Sequence, residues 1–126
     1  MTVLSYNCFV DLKLKYCFIG DVVEEMLMVY ITNPSKKAAK DLAAHLLNKR
    51  LIACANIFSG NSMYWWEGQM AKEDEVVLIA KTVEGNFDAL KHEAEDFSDY
   101  QVPCIIKIPV TANQQFVHWL RSEIRT

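Results

Sequence analysis

The sequence predicts an α+β domain over residues 26–126, with strands and helices in the order β-α-β-β-α-β and an extra helix at the C-terminal end. Two observations carry that prediction. Apolar residues recur at three- and four-residue spacing in three segments, while four other segments show the continuous or alternating pattern of strands. The two middle strands are separated by only Glu67-Gly68, so they fold back on each other as a hairpin. Four antiparallel strands with two helices on one face is the arrangement this order produces.

Leu27–Thr32 is an apolar run that stops at Asn33-Pro34, because proline has no amide hydrogen with which to continue a ladder. Asn33 or Ser35 caps the first helix, in which Ala39, Leu42, Ala43, Leu46 and Leu47 form an apolar face while Lys36, Lys37, Lys40 and Asp41 stay in water. That helix runs to about Arg50. Leu51–Phe58 reads as a strand from its small and branched apolar residues, Ser59-Gly60-Asn61 as a bulge or kink, and Ser62–Glu67 as the strand resumed. Gln69–Thr82 returns, ending in Val76-Val77-Leu78-Ile79-Ala80, which is apolar on both faces and therefore central in the sheet. Phe87, Leu90, Ala94 and Phe97 mark the second helix, and Val102–Val110 a fourth strand bracketed by Pro103 and Pro109. In the last helix Phe116, Leu120 and Ile124 share a face with Val117, and Trp119 lies near its edge.

Residues 1–25 form an N-terminal extension. Val10, Leu12, Leu14 and Tyr16 alternate with Asp11, Lys13 and Lys15, the period of a half-buried strand. Two readings stand: an added edge strand, or sequence lying ahead of a translation start at Met26 or Met28. A signal peptide is not expected, because the extension lacks a basic start and its apolar part is interrupted by charge.

A chain of 126 residues supports one core, and its 52% hydrophobic and 23% charged residues argue against disorder. With a net charge of −3 and its cations dispersed, it carries no footprint for a nucleic acid. No apolar run approaches the ~18 residues of a membrane span. Cys8, Cys17, Cys54 and Cys104 make no C-x-x-C pair, so free thiols in a reducing compartment are expected. Together these features lead to the expectation of a soluble cytoplasmic protein.

The long hairpin requires a partner. Strands advance about 3.3 Å per residue, so an arm of roughly 14–16 residues reaches on the order of 50 Å, past the core of a domain this size. Met63, Tyr64, Trp65 and Trp66 lie on this overhang, and a neighbouring copy is the simplest cover for them.

Four strings of residues then carry a resemblance: Leu51-Ile52-Ala53-Cys54-Ala55-Asn56-Ile57, Ser62-Met63-Tyr64-Trp65-Trp66-Glu67-Gly68, Glu75 through Lys81-Thr82, and Tyr100-Gln101-Val102-Pro103. They resemble the CutA divalent-cation tolerance family over about Leu27 to Arg121. The resemblance implies a ferredoxin-like fold and a PII-like homotrimer whose hairpins pair between neighbours, in keeping with the heterologous contacts of a closed ring. It also implies an association with tolerance or response to divalent metal ions, copper among them.

The metal label meets resistance in the residues. Relatives to which copper binding is attributed carry a cysteine late in the first strand and histidines before the segment that matches Tyr100. Here those places hold Ile31 and Phe97-Ser98-Asp99, neither soft nor imidazole ligands. Cys54 and Cys104 are a conceivable soft-metal pair, although as small apolar side chains both also suit a core. His45, His92 and His118 fall one per helix and read as surface residues. Glu73-Asp74-Glu75 could hold a hard cation loosely, but a short charge run beside a hairpin reads rather as a solvated face. No cofactor is required, and copper remains a conceivable ligand.

Against metal stands a sensor or scaffold that binds a small ligand or partner protein in clefts between copies. Tyr64, Trp66, Glu67, Lys81 and Tyr100 match the family's motif positions and combine a cation, phenols and an indole, which suits a pocket. Ordinary interface composition favours the plainer reading of the same side chains, interface packing and hydrogen bonding. An enzyme is not expected: no nucleophile-base-orienter set, phosphate-cradling glycine loop or HExxH helix is present, and there are only four glycines.

Overall fold

A computed structural model describes residues 22–125. Strand β1 spans Val23–Asn33, helix α1 Lys36–Asn48, strand β2 Cys54–Trp66 and strand β3 Gln69–Thr82. A short 3-10 turn at Glu84–Asn86 leads into helix α2, Phe87–Phe97, followed by strand β4, Ile105–Asn113, and helix α3, Gln114–Glu123. The sheet order is β2-β3-β1-β4, with every neighbouring pair antiparallel. No helix among the described residues is long and apolar enough to cross a membrane.

Each turn follows from its local chemistry. The Ser35 hydroxyl accepts from the Ala38 amide at 3.1 Å, capping α1. Glu67 and Gly68 both adopt positive φ, 49° and 79°, as a two-residue turn between right-twisted strands requires, and Trp66 therefore pairs with Gln69.

Several boundaries differ from the sequence reading. β1 begins at Val23, ahead of Leu27 and of the domain boundary placed at Met26, because β4 pairs with it as far as Val23 opposite Asn113. The alternating stretch Val10–Tyr16 lies outside the described residues. β2 starts at Cys54, and Leu51 and Ile52 are instead buried anchors in the connection from α1. The Leu51 carbonyl accepts from the Thr82 hydroxyl at 2.6 Å and from the Asn86 amide at 3.3 Å, which fixes the connection without a ladder.

The expected bulge at Ser59-Gly60-Asn61 is absent. Pairing runs one to one from Cys54 opposite Lys81 to Trp66 opposite Gln69, so every residue of β2 has a partner. β4 starts three residues later than expected, leaving Val102 72% exposed, and Pro109 sits inside the strand rather than bounding it. An edge strand tolerates proline because one side of it needs no amide donor.

The two faces of the sheet are covered unequally. Leu27, Val29 and Ile31 of β1 and Leu78 and Ala80 of β3 pack against Leu42, Ala43 and Leu46 of α1 and Leu90 and Ala94 of α2. On the opposite face α3 covers only one end, where Val117, Leu120 and Ile124 bury Met26 and lie against Met28, Val110 and Ala112. Beyond that end the opposite face has no helix over it among the described elements.

Candidate functional site

The register of the hairpin places the candidate residues. Residues directly opposite in an antiparallel pair share a face, so Trp66 with Gln69, Tyr64 with Ala71, Ser62 with Glu73, Gly60 with Glu75 and Phe58 with Val77 line one surface. That surface continues through Asn56 and Ile79 to Cys54 and Lys81, and across β1 and β4 through Tyr30 and Ile106. It is the bare face. Phe58 (51%), Ile106 (47%), Trp66 (41%) and Tyr64 (38%) are all substantially exposed there.

A polar network sits midway along it. Glu75 accepts from the Tyr100 hydroxyl at 2.8 Å and from the Ser62 hydroxyl at 2.5 Å. Burial and the hydrogen bond to the Glu75 carboxylate push the Tyr100 phenol well above its ordinary range, so it stays protonated and donates. Tyr64 is raised as well, first by its hydrogen bond to Glu73. Burial, with a smaller push from Glu75, raises the Cys104 thiol, making it a poor source of thiolate.

The structure divides the predicted set. Tyr64, Trp66 and Glu67 lie on the overhang and its tip, and Tyr100 meets the hairpin at Glu75. Lys81 stands at the other end of the face, its ammonium 5.7 Å from the centre of the Phe116 ring. Lys81 lies six residue steps along β3 from Glu75, about 20 Å at strand rise. Within one chain these five residues therefore do not form one pocket. Glu75, Glu73 and Ser62 were missed as site residues because a run of three acids reads as a solvated face. The signal was in the turn: once residues 67 and 68 close a two-residue hairpin, Ser62 must oppose Glu73 and Gly60 must oppose Glu75.

The metal candidates fare differently. Cys54 and Cys104 are both half-buried and unpaired among the described residues, but Cys54 starts β2 on one edge and Cys104 precedes β4 on the other, about 20 Å apart by strand spacing and rise. They do not share an ion within one chain. Glu73 and Glu75 face one side of the sheet and Asp74 the other, where it accepts from the Asn61 amide at 2.7 Å, so the acidic run does not converge. His45 departs from the surface expectation: its Nε2 meets Glu93 at 2.6 Å and its ring stacks on Phe97 at 4.4 Å between α1 and α2. His92 and His118 are more open, each beside a carboxylate.

Ile31, Phe97, Ser98 and Asp99, the places where the resemblance expects copper ligands, do come together. They line one small cavity of about 20 Å³ with Asn33, room for roughly a single water. An isoleucine, a phenylalanine, a serine and an aspartate supply neither thiolate nor imidazole, so this cavity does not fit copper. Among the described residues no group of three or more His, Cys, Asp or Glu side chains is placed to hold an ion.

The fold and this face define a class: a ferredoxin-like sandwich with an elongated hairpin and one sheet face left largely open. Residues 27–123 match the family described as CutA1 divalent ion tolerance protein, and the chain belongs to that family. The divalent-cation tolerance protein CutA of Pyrococcus horikoshii is 39% identical over 101 residues, covering 79% of this chain and 99% of that protein. The chloroplastic CutA 1 of Oryza sativa subsp. japonica is also 39% identical, but this chain spans only 57% of its length. The crystal structure of Pyrococcus horikoshii CutA1 superposes with a TM-score of 0.77 at 37% identity, covering 80% of this chain and all of that one.

Proposed function

We propose that the chain serves divalent-cation tolerance as a homotrimer whose clefts between copies bind a small ligand or a partner protein, without catalysis and without a copper site in the small cavity. The observation that carries this is the bare face, where Tyr64, Trp66, Phe58 and Ile106 are exposed beside a fixed phenol-carboxylate network. Leaving so contiguous an apolar surface in water is unfavourable, and a neighbouring copy would cover it. A reducing compartment such as the cytoplasm is part of the proposal, resting on the lack of any C-x-x-C pair in the sequence.

Calorimetric titration of the purified protein with copper, zinc and cobalt tests the metal part. The expected result is no saturable tight copper binding at a fixed ratio per chain. Tight stoichiometric binding would overturn the reading, and its loss in Cys54→Ser or Cys104→Ser would locate ligands completed between copies. The ligand part is tested at Lys81: once a small molecule is found to bind, Lys81→Ala should abolish its binding, and unchanged affinity would remove the cleft.

A further inference from the structure

The charges of the bare face are few and unequally distributed. By register, the charged strand residues on it are Glu24, Glu73, Glu75 and Lys81. Glu24 is held at the α3 end by His118 at 2.6 Å and Gln114 at 3.2 Å. Lys81 is the one cation there, half-buried, resting against Phe116 with no carboxylate in ion-pair reach among the described residues. Glu75 is half-buried too, and its hydrogen bonds come from the neutral hydroxyls of Tyr100 and Ser62, with no cation within ion-pair distance among the described residues.

Covering this face withdraws water from both groups, and a charge buried without a counter-charge is strongly unfavourable. The two cannot neutralise each other within one chain, because about 20 Å of strand separates them. In a closed three-fold ring the contacts are heterologous, so one patch of a copy meets a different patch of the next. The face offers a cation at one end and a carboxylate fixed by two hydroxyls midway along it, which complement one another only between copies.

We propose that Lys81 of one copy forms an ion pair with Glu75 of its neighbour, with Tyr100 and Ser62 orienting the carboxylate, so that each cleft is completed by two chains. This rests on the homotrimer reading above. It assigns a specific role to Glu75, separate from the exposed Glu73, and explains how Lys81 and Tyr100 come to share one site although the single chain holds them apart.

Zero-length carbodiimide coupling of the wild-type protein, followed by peptide mass spectrometry, tests it. An amide joining Lys81 to Glu75 must be intermolecular, given their separation within a chain, and its detection in a covalent dimer is the expected result. Lys81→Glu and Glu75→Lys should each raise the concentration at which the assembly dissociates by more than about tenfold. The double variant Lys81→Glu/Glu75→Lys should return it to within about threefold of wild type. A wild-type trimer that gives no such amide and whose charge-reversal variants assemble normally would overturn the pairing while leaving the trimer intact. A wild-type monomer would instead overturn the reading on which the pairing rests.

Discussion

The two faces of this sheet are made from alternate residues of the same strands, yet they solve different problems. On the helix-covered face Val29, Leu78 and Ala80 are fully buried, and α1 and α2 supply the complementary leucines and alanines. On the bare face Phe58 and Ile106 remain about half exposed, and the polar groups among them are held in a defined network. The covered face supplies what folds one chain; the bare face carries the aromatic surface and paired hydroxyls expected of a surface that another copy completes. Alternation along the strand thus lets a single segment such as Val76–Lys81 of β3 contribute to both tasks without conflict.

Substitutions on the two faces should separate these roles. Leu78→Ala removes a fully buried side chain from the central strand β3 and should lower unfolding free energy by about 3 kcal/mol, read from denaturant midpoints at fixed protein concentration. Phe58→Asp, on the bare face of β2, should leave the far-ultraviolet circular dichroism of the fold in place while abolishing assembly in light scattering. If Phe58→Asp unfolded the chain instead, the distinction between the faces would fail. Gly68→Ala places a side chain at φ 79° in the hairpin turn and should cost about 1 kcal/mol without changing the register.

The smallest effect expected lies away from both faces, between the helices. The hydrogen bond from His45, with help from Lys49, holds the Glu93 carboxyl below its ordinary value of 4.5. The folded state therefore favours the ionised form, and that contribution is present above pH 4.5 and lost as pH falls from there toward the depressed value. Urea midpoints taken on acidification should fall less steeply below pH 4.5 in Glu93→Gln than in wild type. Glu93 is half-buried and keeps access to solvent that screens its charge, so the difference should be modest.

Much of this was legible in the sequence because hydrophobic period and turn chemistry are local signals. The apolar face of α1, the Glu67-Gly68 turn and the central position of Val76–Ala80 all follow from spacing alone. Leu51 and Ile52 look like strand in the sequence because buried anchors in a connection have the same composition as a strand start; what distinguishes them is the tertiary bonds of the Leu51 carbonyl to Thr82 and Asn86. Gly60 suggested a kink, but a glycine in a strand is strained by nothing when its neighbours pair in register. The candidate site was legible as a list of residue types and not as a place. The tertiary structure supplies the place: the Tyr100 hydroxyl reaches Glu75 from the loop before β4, while the register sets Lys81 far along the same face.

Copies of the same chain are expected to cover the bare face. Light scattering on the purified protein over a dilution series tests it most directly. A mass of three times the 14.5 kDa chain, persisting on dilution, is the predicted result. A single-chain mass at all concentrations, with the aromatic face left in water, would contradict it.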